Sequence, residues 1–452
     1  MAAAPRRAHR CDERGAALVV TLVALLVMGG LLATYLAVSA LEPQISRNLA
    51  DASRARHLAE AGVERGFNVL IGIADATGGW SVLLAGATVA HPWMPVAGLT
   101  NVALARTANA GTFSVSVRND NGAADTPITG LSASTRPSMD TSPTADDNAT
   151  VIMRSTGTFD RVSKTVEVVV QRAALPPFAA ALSIPATTLR AAVAAAAVDI
   201  DGRDYGCAGG GLSCDTESSW AVTSNPLKYG VSVGPDARAA IESALAAPSI
   251  GDGVKGKSRT DPAGAYATGL ETVTSDGALT PTRVDEFVRV VARNPATAVL
   301  QSTAACPLVL TGASAATSTA TLGNGCGMTT TVDLGSRQDP RLVFVRGDLI
   351  LDRGVKGAGI LLVQDGDLTS QGDLEWDGVV IVAGRGATLS LSGGGRTAIR
   401  GAAIASESIA GGTVDVAIGG SSAGLSVRAS AQNLSMAQGL RALHSIVNWR
   451  EI

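Results

Sequence analysis

Aromatic side chains are scarce in this sequence: six Phe, five Trp and four Tyr, 3% of 452 residues. One large core built on ring packing is therefore excluded. Charge is scarce too, at 17% against the roughly 25% of an ordinary soluble domain. The net charge is −3, so no basic excess is available to neutralise phosphates, which argues against a nucleic-acid-binding chain. Only four histidines occur (His9, His57, His91, His444), far apart, and they complete no Ser-His-Asp or Cys-His set. No Walker or Rossmann loop is present; Gly209-Gly210-Gly211 and Gly393-Gly394-Gly395 read as turns. What is abundant is glycine, at 51 positions, within 46% apolar content. That content is too high for full disorder, and the glycines lack the three-residue period of collagen. Gly, Ala, Val and Thr together point to β-rich folds with many tight turns.

A single long apolar run stands near the start. Residues 1–15 hold Arg6, Arg7, Arg10 and Arg14 against Asp12 and Glu13, a net +2. Ala16 to Leu41 are 26 residues without a charge, about 39 Å of helix, enough to span a hydrocarbon core of about 30 Å. The positive flank precedes the span, which predicts an N-terminus in the cytoplasm and the bulk of the chain outside. Taking the +2 leader from the −3 total leaves −5 on the residues after the span, with no second stretch of spanning length. A rival reading is a cleaved secretory signal, with Val38-Ser39-Ala40 as the cleavage site, but the run exceeds the 7–15 residues of such a segment.

The helix is expected to continue beyond the membrane. Ile45, Leu49, Ala52, Ala59, Val63 and Leu70 recur at three-four spacing, with Phe67 beside the last. Arg47 and Asp51, and Arg56 and Glu60, lie four residues apart on an exposed face. The pattern predicts helix to about Ala74, with a kink at Pro43. Gly29, Ala33 and Ala37, with Gly30 and Thr34, place small residues every four positions, a row that lets a second helix approach; a tolerated glycine pair in a plain anchor reads equally well.

Glu13-Arg14-Gly15-Ala16-Ala17-Leu18-Val19-Val20, the apolar helix and then Ala59-Glu60-Ala61-Gly62 resemble the N-terminal region of PilX-type pilus assembly proteins, minor pilin-like proteins of type IV pili. The resemblance covers about residues 12–66. It implies a prepilin-peptidase cut after Gly15, leaving Ala16 as the new N-terminus. It also implies a glutamate at the fifth mature position, where this chain has Val20. In major pilins that glutamate pairs with a neighbour's terminal amine in the fibre core, and losing one partner of a buried pair is costly. A tip or priming role is therefore the better analogy than a bulk fibre subunit. The implied partners are other pilin and minor pilin subunits and the inner-membrane assembly machinery.

Beyond the stem, Thr112–Val117 alternates as a half-buried strand. Val151–Ser155 and Val166–Val170 flank Gly157–Arg161 as an antiparallel hairpin. Asn119–Asn148, rich in Ser, Thr, Pro, Asp and Gly, reads as a mobile loop, and Leu175-Pro176-Pro177 closes the unit. Residues 178–330 carry no assignable fold. Within them Ala191–Val198 reads as helix or buried strand, and Pro235–Ala247 and Val284–Ala292 as short helices. Of five cysteines, Cys11 precedes the span. Cys207, Cys214, Cys306 and Cys326 follow it; three pairings are possible, and the local one (Cys207 with Cys214, Cys306 with Cys326) is simplest. Neither a histidine nor a Cys-x2-Cys pair accompanies them, which argues against zinc.

The last third repeats. Val343–Leu349 is echoed from Leu361 and again from Val380, with Ala402-Ala403-Ile404 following. Short apolar strands punctuated by Gly and Asp at this period predict stacked turns of a parallel β-helix or related solenoid, with Leu440–Ile452 capping its open end. Asp365, Asp367, Asp373, Glu375 and Asp377 are the acids that a polysaccharide-active β-helix would use, although Asp beside Gly commonly sits in solvated turns. Asp199, Asp201 and Asp204 loosely resemble a calcium loop without its terminal glutamate.

The expected fold is therefore α+β: a long transmembrane-plus-stem helix packed on an antiparallel β head, with a C-terminal β-helix or solenoid-like all-β domain. The expected divisions are a basic leader (1–15), a transmembrane helix (16–41), a helical stem (42–74), a pilin-like head (75–175), a mixed disulfide-containing region (176–330) and a repeat domain (331–452). The expected function is a non-enzymatic, single-pass inner-membrane protein of type IV pilus or pseudopilus assembly. No cofactor, metal, nucleic acid or small-molecule substrate is expected. A tethered periplasmic or cell-surface scaffold or adhesin, and an anchored polysaccharide-active enzyme, are the alternatives.

Overall fold

The structure, a computed structural model, describes the chain except for residues 1–12, 74–78, 105–110, 136, 195–197, 208–213, 215–216, 247–251, 276, 295–296, 313–317, 325, 328, 392–394, 409–410 and 419–423. The basic residues Arg6, Arg7 and Arg10, Cys11 and the two glycine triplets fall wholly or partly outside the described residues.

The fold is α+β. One helix, Glu13–Gly72, runs 60 residues, about 90 Å, and stays helical through Pro43. Residues 17–50 are exposed throughout. From Ala55 onward one face is buried: Ala55, Leu58, Ala59, Val63, Phe67 and Leu70 pack on a sheet. That sheet contains Thr112–Asn119, Thr150–Phe159 and Val162–Arg172, paired antiparallel in that order. In Thr112–Asn119 burial alternates strictly, with Phe113, Val115 and Val117 facing the helix. The backbones lie close, because a Cβ on Gly62 would overlap the Ser155 hydroxyl and Phe113, and one on Gly66 would overlap Met153 and Val115.

The next strand of this sheet comes from the end of the chain. His444–Glu451 pairs antiparallel with Val162–Arg172, from His444 opposite Arg172 to Glu451 opposite Val166. The expected cap of the solenoid is thus a strand of the head. Its apolar alternation is satisfied by the head sheet, to which the chain returns. Everything between Ala173 and Leu443 is an insertion whose ends meet, the Ala173 amide donating to the Leu443 carbonyl at 2.8 Å.

The insertion is a parallel coil. Arg341–Arg346, Val355–Gln364, Leu374–Gly384 and Thr397–Glu407 stack in parallel register, Val343 on Leu361, Val380 and Ala403. The sequence repeat read from Ala402 is one residue early, since Ala402 stacks on Val379. A second parallel sheet contains Leu308–Gly312, Leu349–Arg353, Asp367–Ser370, Thr388–Leu391 and Thr413–Ile418. The long strands change direction at Gly359, Gly378 and Gly401, stacked with φ of 113°, 138° and 148°. Residues before that column pair onward to Leu425–Ala429, and residues after it to Ala180–Ile184. Each turn thus has three strand stretches around an apolar interior that includes Trp376, Leu361, Leu368, Val380 and Leu389.

Residues 178–275, unassigned from sequence, continue this coil. Ala180–Ile184, Thr188–Val193 and Val198–Asp201 stack on the strands of the last repeat turns, so the expected division at residue 330 cuts through shared sheets. Tyr229–Val233, Val254–Lys257 and Val273–Ser275 extend it further. The chain then returns along the outside through the helix Pro281–Arg293. Thr280 caps it, its hydroxyl accepting from the Arg283 amide, and Val284, Phe287, Val288 and Val291 cover Phe344, Ile360, Val379 and Ile381. The sulfurs of Cys207 and Cys214 are bonded, as are those of Cys306 and Cys326.

Candidate assembly interface

The least ordinary surface is the first half of the long helix. Leu18, Val20, Leu25, Leu26, Met28, Leu31, Tyr35 and Leu36 are each more than half exposed. Among the described residues this is the one helix long and apolar enough to cross a membrane. A contiguous apolar surface of this size needs lipid or protein around it. Its two threonine hydroxyls make no demand on those surroundings: Thr21 donates back to the Ala17 and Leu18 carbonyls, and Thr34 to those of Gly30 and Leu31.

Gly29 and Gly30 lie mid-span, and a Cβ on either would meet nothing within 4 Å. Their small size answers no contact inside the chain; with Ala33 and Ala37 they leave a shallow row open to another helix. Val20 is 66% exposed. Gly15 and Ala16 lie in the first turns of the helix; the side chains of residues 13–16 are not described.

The family-like stem segment lies where the helix meets the head. Ala59 is fully buried, Glu60 accepts from Arg56 at 3.0 Å and lies 3.1 Å from His57 Nδ1, and Gly62 lies close against the sheet, as does the Ala55–Ala59 backbone against Gly157. Asp51 pairs with Arg54 at 3.5 Å rather than with Arg47, and Ile45 and Leu49 are exposed, so the packed apolar face begins at Ala55, nearly three turns later than the periodicity from Ile45 suggests. From the other side, Arg441 reaches back to Glu64 and Asn68, both at 3.0 Å. His444 is buried beside Phe67 and Trp80, its Nδ1 3.0 Å from the Leu440 carbonyl. Burial, with Arg172 adding to it, lowers the His444 pKa to about 4, so the imidazole is neutral at pH 7.

Of the acids singled out in the repeats, Asp365 and Asp373 lie between strands, Asp367 opens the short strand Asp367–Ser370, and Glu375 and Asp377 lie within the strand Leu374–Gly384 rather than in solvated turns. Asp367 accepts from the Thr388 amide at 3.1 Å and Asp373 from the Arg396 amide at 2.7 Å, each tying one turn of the coil to the next. Asp365 has φ 54° in a turn. Asp377 is buried against Arg400 at 3.0 Å, and Glu375 lies 4.0 Å from Lys356 and from Arg400. The three acids of the calcium-like segment also diverge. Asp199 pairs with Arg428 and Lys255, Asp201 with Arg203 and Tyr205, while Asp204 accepts from Thr223, Asn225 and the Ala431 amide. Although burial pushes Asp199 upward, the bonds from Arg428 and Lys255 bring it below its ordinary value. Among the described residues no three His, Cys, Asp or Glu side chains gather to hold a metal ion.

Sequence reading missed a buried acidic set in the head. The segment read as a mobile loop holds Asp120, Asp125, Asp140 and Asp146 inside. Asp125 is paired with Arg118, whereas Asp146 accepts from the Trp80 and Thr150 amides, and Asp120 from Asn148. Burial, then the charges of Asp120 and Asp146, push Asp140 up to about 7; burial foremost raises Asp146 to about 6. Nothing in a Ser/Thr/Pro-rich composition signals this.

The sequence matches no protein-family model and no curated protein. Among solved structures, the crystal structure of the competence-associated pilin ComZ from Thermus thermophilus is similar at 11% identity, over 89% of this chain and 97% of that one, with a TM-score of 0.24.

Proposed function

We propose that this chain is a membrane-anchored, minor pilin-like subunit that takes part in assembling a type IV pilus or pseudopilus, at the tip or in priming. The observation that carries the reading is one continuous helix with two fates: an exposed apolar half with a row of small residues, and a second half seated through Gly62 and Gly66 on an antiparallel sheet. Such a helix suits a subunit that is held in the inner membrane, with the N-terminus in the cytoplasm, and then packs among the helices of other pilin subunits. Val20, in place of a charge-bearing side chain, fits a position with no preceding subunit's amine to neutralise. The inserted coil then projects outside the cell membrane as a non-enzymatic structural element, with Asp367 and Asp373 tying successive turns together and Asp377 paired with Arg400.

The test is the N-terminus of the protein recovered from its native membrane, by intact mass and peptide sequencing. A start at Ala16, with or without N-methylation, supports processing after Gly15. A start at Met1 favours the second reading, a tethered scaffold or adhesin, which the size of the coil relative to the head favours. A start at Leu41 makes the protein a secreted one and removes the fibre role.

A further inference from the structure

The head sheet ends on an unpaired edge. The His444–Glu451 strand pairs on one side with Val162–Arg172, and among the described residues no strand pairs with its other side. Its first outward group is already engaged, since the Asn294 side chain donates to the Ala442 and His444 carbonyls at 2.7 and 3.2 Å. Among the described residues no backbone bond from another element reaches its outer side at Ile446 and Val447, while the Trp449 amide donates to Asn448 Oδ1 at 2.7 Å. A register shift between Ile446 and Asn448 leaves Val447 as the extra residue, 47% exposed, and Trp449 follows at 43%. Exposed edges are ordinarily blunted by lysine or other charges, proline, a bulge or a covering element; this strand contains neither lysine nor proline, its charges Arg450 and Glu451 stand at its far end, and its bulge turns Val447 outward.

The same edge forms the floor of a cleft of about 550 Å³. Ser445, Ile446 and Val447 lie along it, Leu131 and Pro137 stand on the head side, and the return helix forms the far wall. That wall carries Arg289 and Arg293, one helical turn apart, against Glu286. Arg289 leans on Asp285 at 3.0 Å and is 41% exposed; Arg293 is exposed. Main-chain groups left at Ile446 and Val447, apolar side chains at the bulge and two guanidiniums on the facing wall are the components of a short strand addition, in which backbone bonds supply affinity and flanking side chains supply choice.

We propose that this cleft is a docking groove for an extended, acidic peptide strand of another protein, which adds to the head sheet along the outer edge of His444–Glu451. The inference uses the head and the return helix alone and stands apart from the role assigned to the membrane helix.

The test uses the full chain in detergent micelles with two fluorescein-labelled peptides, one alternating valine and glutamate, the other valine and lysine. The glutamate peptide is expected to bind and to slow hydrogen exchange of the amides of Ile446 and Val447. Arg293→Glu, at an exposed position, is expected to weaken that binding about tenfold while circular dichroism stays unchanged. Equal binding of the two peptides, absence of binding, or binding that leaves those amides unprotected overturns the proposal. Protection that grows with protein concentration in the absence of peptide makes the occupant a second copy of this chain, and equally overturns it.

Discussion

The head and the inserted coil are both sheet structures, yet they use apolar residues differently. In the head, one face of the sheet lies under the long helix, and Thr112–Asn119 alternates between buried and half-buried positions. In the coil, Thr397–Glu407 is buried at all 11 positions, because one side points into the interior and the other is covered by the return helix and the helix Ala431–Gln438. Small residues follow the same logic. The head needs glycine where helix and sheet approach, and the coil needs it where each strand turns a corner. A two-layer unit tolerates local adjustment, whereas a stacked coil repeats any misfit along a column.

The largest effect expected from this contrast is at the corner column. Gly378 has φ 138° and a Cβ there would overlap the Gly359 carbonyl, so Gly378→Val should destabilise the coil by about 3 kcal/mol or more. Limited proteolysis should then cut residues 178–440 while the head survives; equal loss of both would show that the two units unfold together. Gly62→Val should cost the head about 2 kcal/mol, by forcing the helix off Ser155 and Phe113. Thermal unfolding followed by near-ultraviolet dichroism of Trp80 reads this, and an unchanged midpoint would show a looser helix–sheet contact than described.

Acidity sharpens the comparison because burial raises carboxyls in both units, but in the coil Asp377 is countered by Arg400 and Arg337, whereas in the head Asp140 is pushed further by the charges of Asp120 and Asp146. Asp140 and Asp146 have folded values of about 7 and 6, above the unfolded 3.8. Their contribution is fully present below pH about 4 and is lost as pH rises to about 7. His444, lowered to about 4 from 6.5, acts in the opposite sense, its contribution fading as pH falls from about 6.5 to 4. Asp140→Asn should therefore raise the head's midpoint by a few degrees at pH 8 and hardly change it at pH 4; equal shifts at both would remove titration as the cause. The smallest effect expected is from excision. Replacing residues 175–440 by a short Gly/Ser linker should leave the head's midpoint within a few degrees, because Ala173 and Leu443 are already hydrogen-bonded neighbours. A collapsed head would instead mean that the coil is part of its fold.

Local signals were legible in the sequence, and long-range ones were not. The long apolar run and the three-four spacing of Ala59, Val63 and Leu70 announce a helix that Glu13–Gly72 realises. The hairpin about Asp160 and the return helix are local patterns and are found as Thr150–Phe159, Val162–Arg172 and Pro281–Arg293. The repeat at Val343, Leu361 and Val380 is legible because consecutive turns of a coil touch. The return of His444–Glu451 to the head and the stacking of Val198–Asp201 on Leu425–Ala429 join residues hundreds of positions apart, and periodicity holds no record of such pairings. The row of Gly29, Gly30, Ala33 and Ala37 could be seen, yet its use depends on molecules other than this chain.

The meeting of Ala173 and Leu443 also decides how the protein would carry a pull. Tension applied along the membrane helix enters the head through Ala55–Leu70 and spreads into strands hydrogen-bonded side by side. Because the coil leaves and rejoins the head at one point, none of that force needs to pass through its turns. The coil would ride on the head like a flag on a mast, free to hold whatever it touches without being unwound by the load below.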